Sequence, residues 1–300
     1  MHPLTIAVVS RNYFNLPVWI ARSAGLFEAE GLDVTIDHIE GIEEVNARLR
    51  DGRAQLAYGV TEHVILDAEA GGRTAIIGGN VNKLPFSLIA RAGIDGLAGL
   101  RGKKIGVSSL RAGSSSLIMK LLAARGLHWP QDYELVPCGP ILARWELLRS
   151  GGIDAGLQGA PLNRIALEQG FVSLCEPRDE VPHFQFTSLD VHLDWAAANR
   201  DILLRFLRAF LRAHERFYMH RDEANAVAVA ETGIEARHAD LAWGEYTREA
   251  IFPRDGEASA PGVQALIETS ALIRELPSRA RTRAEDYIDR SWLAAARASL

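Results

Sequence analysis

Two cysteines, Cys138 and Cys175, are all the sequence holds in 300 residues. Their separation fits neither a zinc-ligand spacing nor a redox CxxC pair, so a cysteine metal site and thioredoxin-type chemistry are set aside. A single disulfide is possible; two unpaired, mostly buried thiols are the expected state. Lysine is nearly as scarce, with Lys83, Lys103, Lys104 and Lys120 only, and arginine carries most of the positive charge. The net charge of −5 is spread along the chain with no basic stripe, which excludes a nucleic-acid partner from the leading readings. No apolar run approaches the 18 or so residues needed to cross a bilayer, so no membrane insertion is expected. Met1-His2-Pro3 leads straight into the strand-like Leu4–Val9, without a basic n-region, a long apolar stretch or an A-x-A cleavage site. Two expectations follow: a periplasmic protein whose leader was removed, or a cytoplasmic one.

Signatures of catalysis are missing as well. There is no G-x-S-x-G, no Walker loop, no G-x-G-x-x-G and no H-E-x-x-H. His63 stands beside Glu62 without a partner at ligand spacing, and reads as an ordinary helix residue. His183, Asp190, His192 and Asp194 cluster near one segment and read as surface or hinge groups, not a metal site. Arg279-Ala280-Arg281-Thr282-Arg283 is a short basic run answered at once by Glu285 and Asp286, and reads as a solvated helix start. No catalytic residue, metal or cofactor is expected.

What is present is a regular alternation. Short apolar runs at 4–9, 32–38, 54–59 and 74–78 read as strands, with amphipathic stretches between them. Residues 16–30 carry Val18, Trp19, Leu26 and Phe27; residues 42–53 carry Ile42, Val45 and Leu49 on one face and stop at Gly52. From about residue 90 a second unit repeats the scheme. It has strands at 103–108, 135–137, 153–158 and 171–174, and helices at 114–125 and along Ile141, Leu142, Trp145 and Leu148. Asp154, ahead of the third of these strands, reads as structural. Residues 199–219 form the clearest helix, and the helical remainder is broken by Pro253, Pro261 and Pro277. The expected fold is a two-lobe α/β clamshell, each lobe a mainly parallel sheet flanked by helices. One lobe is 1–88 plus 190–300, the other an insert at 89–189, with two crossing strands as hinge and a ligand cleft between the lobes.

Ligands of open α/β sheets gather at the carboxyl ends of strands, which directs attention to three turns. Ser10–Asn15 mixes amides with the rings of Tyr13 and Phe14, suited to stacking and hydrogen bonding. Their alternative duty is packing over a turn. Tyr58–His63 is a second strand-to-helix turn. The third, Ile105 to Ser116, leads a strand through Arg111 and Gly113 into a serine-rich helix start. Unpaired N–H groups and the macrodipole suit an anion there. Equally, Ser114 could be only an N-cap and Arg111 only solvated.

Several segments together resemble a known family. Leu16–Ala21, Gly25–Val34, Gly93–Val107, Gly113–Ser116, Gly152–Ala155 and Ala284–Ile288 are similar to landmarks of the type II solute-binding proteins of ABC importers. The branch is that of alkanesulfonates, taurine, nitrate-type solutes and thiamine pyrimidine precursors, and the likeness spans essentially the whole chain. It implies a small organic solute, anionic or heteroaromatic, and an ABC permease as partner. The implied ligand contacts are Asn12, Tyr13 and Phe14, then Val60 and Thr61, then Arg111, Gly113, Ser114 and Ser115, then Gln158, Gly159 and Ala160. Relatives often carry an acidic or aromatic residue where Gln158 stands. A neutral amide there argues against a ligand needing an ionic partner for an amine. The same fold also hosts enzymes: a pyrimidine synthase that consumes its own residues, a desulfinase and an aromatic decarboxylase. The first-strand turn lacks the cysteine a desulfinase would need. No cysteine-rich motif marks a pyrimidine synthase, although His63 could stand in such a site. No helix-turn-helix accompanies the fold, against a transcription factor.

Overall fold

The computed structural model describes residues 1–272 and 281–300, apart from the side chain of Ile42. Pro277, Arg279 and Ala280 lie outside the described residues, as does the contribution of Ile42 to its helix face. The first unit runs β1 His2–Val9, α1 Leu16–Ser23, α2 Leu26–Ala29, β2 Leu32–Ile39, α3 Ile42–Arg50, β3 Leu56–Val60, α4 Thr61–Glu69 and β4 Thr74–Val81. The second runs β5 Phe86–Ala90, β6 Lys104–Val107, α5 Gly113–Ala123, β7 Glu134–Pro137, α6 Ile141–Ser150, β8 Ala155–Gly159, α7 Leu162–Glu168, β9 Val172–Cys175 and α8 Pro177–Glu180. The chain then returns through β10 Thr187–His192 and continues as α9 Leu193–Ala198, α10 Arg200–Met219, α11 Arg221–Thr232, α12 Ala236–Arg248, α13 Ala260–Ser270 and α14 Ser291–Arg297.

Two five-stranded sheets result, ordered β2-β1-β3-β10-β4 and β7-β6-β8-β5-β9. In the first, β1 is parallel to β2 and β3, whereas β10 is antiparallel to β3 and β4. In the second, β6 is parallel to β7 and β8, whereas β5 is antiparallel to β8 and β9. The sheets are therefore mixed, with one reversed strand each and the other four running the same way, mainly parallel as the strand–helix alternation suggests. The reversed strand in each is the one through which the chain enters from the other sheet, so no helical crossover sets its direction. Only residues 82–85 and 181–186 carry the chain between the sheets. Gln185, fully buried, ties these connections together. Its Nε2 donates to Asn82 Oδ1 (2.8 Å) and Thr187 O (2.7 Å), and its Oε1 accepts from Ser259 N–H (2.8 Å).

Local rules explain most elements. The expected helix 16–30 is split into α1 and α2 because Gly25 takes φ +66°, a left-handed conformation that ends a helix and suits glycine. Helix α10 buries Leu203, Phe206, Leu207 and Phe210, an i, i+3, i+4, i+7 stripe, against α1 and α14. Asp154 pins the start of β8 to β6: its Oδ2 accepts from Lys104 N–H (2.9 Å) and its own N–H donates to Lys104 O (2.8 Å). Both cysteines are free and half-buried, and burial raises both thiols, Cys175 to about 12. Among the described residues no group of three His, Cys, Asp or Glu side chains is placed to hold a metal, and no helix is long and apolar enough to cross a membrane.

Candidate ligand cleft

The turn after β1 is built by its own polar side chains. Asn12 Oδ1 accepts from Phe14 N–H (2.9 Å), and Asn12 Nδ2 donates to Val9 O (3.0 Å) and Ser10 Oγ (2.9 Å). Asn15 Nδ2 donates to Ser10 O (2.6 Å). These bonds hold Ser10 at φ +41°, a conformation costly for a residue with a Cβ and tolerable here because the side chains around it over-determine it. The two amides are thus occupied in shaping the turn, and what the turn presents inward is the pair of rings.

Tyr13 packs edge-on against Tyr246 of α12, with centroids 4.8 Å apart. Phe14 meets Phe86 of β5 and Phe186 of the second connection, each at 5.8 Å, and those two rings meet at 4.8 Å. Edge-to-face geometry of this kind adds to the burial of the rings. Beside these rings lies a cavity of about 70 Å³, lined from the first unit by Arg11 to Phe14 and from the second by Ile141, Leu142 and Gly159 to Leu162. Thr232 and Ile234, at the end of α11, complete it. Glycine at 159 keeps the floor low: a Cβ there would lie 3.3 Å from both Ile141 Cδ1 and Phe86 Cε1.

The residues anticipated from the sequence divide into groups. Asn12, Tyr13, Phe14, Gly159 and Ala160 line this cavity. Val60 and Thr61 are buried outside its lining, and Thr61 Oγ1 donates to Ser188 Oγ (3.0 Å). At the start of α5, Ser114 Oγ accepts from Ser108 N–H (3.0 Å) and Ser115 Oγ donates to Ser109 O (2.6 Å), so both hydroxyls serve the turn. Gly113 packs on Phe184 and Leu266, where a Cβ would come within 3.2 and 3.0 Å. Arg111 is exposed and lines a separate depression of about 220 Å³ with Glu43, Asn46, Arg50, His63 and Asp67. Burial holds His63 below the usual histidine range. Gln158 is fully buried beside the cavity floor, and neither of its amide atoms has a partner among the described residues. Sequence reasoning missed Arg11, Pro161, Leu162, Thr232 and Ile234. The last two sit at and just past the end of α11, with no motif to mark them, while Ile141 and Leu142 were legible only as a helix face.

Two α/β lobes, each a five-stranded sheet whose fourth strand is reversed, joined by two short connections with a cavity between them, make the periplasmic-binding-protein fold. Solved structures of that class superpose over nearly the whole chain. The alkanesulfonate-binding protein SsuA from Xanthomonas axonopodis pv. citri matches with a TM-score of 0.78 and 16% identity, covering 96% of this chain and 98% of its own. The nitrate-binding protein NrtA from Synechocystis PCC 6803 matches with a TM-score of 0.83 and 12% identity, covering 100% and 89%. The chain belongs to the NMT1/THI5-like family, whose profile matches residues 13–224. Among characterised relatives, 4-amino-5-hydroxymethyl-2-methylpyrimidine phosphate synthase of Schizosaccharomyces pombe is 26% identical over 214 residues, which is 65% of this chain and 60% of that enzyme. The chain therefore spans about 60% of that relative's length.

Proposed function

We propose that the protein binds a small organic solute, anionic or heteroaromatic, in the cleft between its lobes and presents it to an ABC permease. Sulfonates, aromatic acids and pyrimidines are the solutes of this description. The observation that carries the proposal is the make-up of the cavity, whose walls come from both units: Tyr13 and Phe14 on one side, Ile141 and Gly159 to Leu162 on the other. A ligand touching both sides stabilises the closed form by its differential affinity, which is what hinge closure requires. At about 70 Å³ the cavity is well below the volume of a drug-sized ligand site, so loading calls for the lobes to part. In this reading one lobe is 1–88 with 190–300 and the other 89–189. Both boundaries fall within strands, β5 and β10, next to the two connections. Delivery to a permease would place the working protein in the periplasm.

Thermal shift against alkanesulfonates, aromatic carboxylates, aminopyrimidines and nitrate tests this. A ligand at a hundred times its Kd stabilises by about 2.7 kcal/mol, which raises the midpoint visibly. A flat response across all four sets would sink the proposal. Similarity to the S. pombe synthase supports a second reading, a cytoplasmic enzyme of the same fold that makes a pyrimidine precursor. Release of a new pyrimidine by the purified protein, followed by mass spectrometry, would favour that reading.

A further inference from the structure

Arg144 is among the largest fully buried side chains of the protein, with 1% of its surface exposed. It projects from α6 over β6 and β8, where its Nε donates to Leu157 O in the middle of β8 (2.8 Å) and its Nη1 to Ser108 Oγ just past β6 (3.1 Å). No carboxylate pairs with it among the described residues. Burial lowers its pKa to about 10, and among the described residues Cys138 opposes the shift. Space for the guanidinium stem is cleared by two glycines: a Cβ on Gly106 would sit 3.1 Å from Arg144 Cγ, and one on Gly156 3.1 Å from Cδ. Gln158 follows Gly156 by two residues on β8 and so shares its face of the sheet, with both amide atoms buried and without a partner among the described residues. Isolated buried cations and unpaired buried amides are each costly, and here they occur together. They lie behind the cleft wall and do not line the cavity themselves: Arg144 is one helical turn beyond Ile141, and Gln158 immediately precedes Gly159, and it is Ile141 and Gly159 that form the wall.

We infer that Arg144, Gln158 and Ser108 form an oxyanion subsite, which takes the carboxylate or sulfonate head of a solute whose apolar part lies against Tyr13 and Phe14. The inference rests on the solute-binding reading above and adds the charge class of the ligand. A guanidinium suits this duty because its planar fork of donors matches two oxygens of one head group.

Matched pairs that differ only in the head decide it: benzoate against benzamide, and benzenesulfonate against benzenesulfonamide, by calorimetric titration of the whole chain. The expected result is a preference of about tenfold or more for the oxyanion of at least one pair. Arg144→Met should collapse that preference while leaving affinity for the neutral member within about twofold, and Gln158→Leu should weaken the oxyanion alone. A purely structural arginine would change the melting temperature and leave the preference intact. Equal binding of both members by the unaltered protein overturns the subsite but leaves the solute-binding reading standing. So does a preference that survives Arg144→Met. Binding of no member of either pair, or of any compound in the wider panel, overturns both. Should Arg144→Met fail to fold, the unaltered protein and Gln158→Leu still decide the matter.

Discussion

Replacing Glu245 by alanine removes a carboxylate that is only 2% exposed and holds α12 to the helices of the second sheet. Its Oε1 accepts from Arg178 Nη1 at 2.8 Å and its Oε2 from Arg164 Nη2 at 3.4 Å. The two arginines do not weigh equally. Arg164 is 42% exposed and its longer contact is screened by water, so its share is small. Arg178 is 16% exposed, and without Glu245 it would keep only the 3.5 Å contact to Glu176. Removing one member of a buried pair costs about 3–5 kcal/mol. Discounted for the partial exposure of both arginines, a loss of about 2–3 kcal/mol is expected for Glu245→Ala, or a fall of roughly 5 °C or more in a chain of this size. Urea unfolding at pH 7 measures it. Adding Arg178→Met to Glu245→Ala should recover part of the loss, because the stranded charge goes with it. Glu146→Ala is the control: its partner Arg149 is 55% exposed, and its midpoint should move far less. If Glu245→Ala costs no more than Glu146→Ala, the ion cluster is not a buried one in solution and the reasoning fails.

Other expectations follow from single groups. His214 is fully buried, donates from Nδ1 to Pro253 O (2.7 Å), and has its pKa pushed down from 6.5 to about 4. Because the folded value lies below the unfolded one, its neutral form contributes about 3 kcal/mol above pH 6.5 that is lost as pH falls toward 4; a His214→Phe protein should lose less stability over that window, and parallel curves would refute this. Tyr13 buries a hydroxyl with no partner among the described residues, so Tyr13→Phe should stabilise the free protein by about 1 kcal/mol in urea unfolding. A lower midpoint for that variant would mean that the hydroxyl has a partner in solution. Gly159→Val places carbon where a Cβ is already 3.3 Å from Ile141 and Phe86, and should cost about 1–3 kcal/mol of stability and reduce solute affinity at least about tenfold by titration. Unchanged affinity would move the ligand away from this floor.

Much of this architecture is written locally. Apolar runs of strand length, helix faces such as Leu203, Phe206, Leu207 and Phe210, and stops at glycines are short-range properties, and they define most of the elements and the two α/β units. The rings of Tyr13 and Phe14 were likewise legible, since a strand's carboxyl end is where a ligand site is expected. What the tertiary structure alone decided is pairing across distance. The reversal of β5 and β10 depends on which neighbours a strand meets after the chain crosses between sheets, and no local pattern encodes that. The serines that open α5 look free in sequence, yet the turn uses Ser114 and Ser115 for its own N–H and carbonyl groups. Arg144 and Gln158 show the converse. In sequence one is an arginine on a helix and the other an amide in a strand; only the fold brings both into the interior behind the cleft wall, with no carboxylate among the described residues to answer the charge. A residue's type and spacing set what it can do, and its burial and partners, which come from residues far along the chain, set which of those things it does.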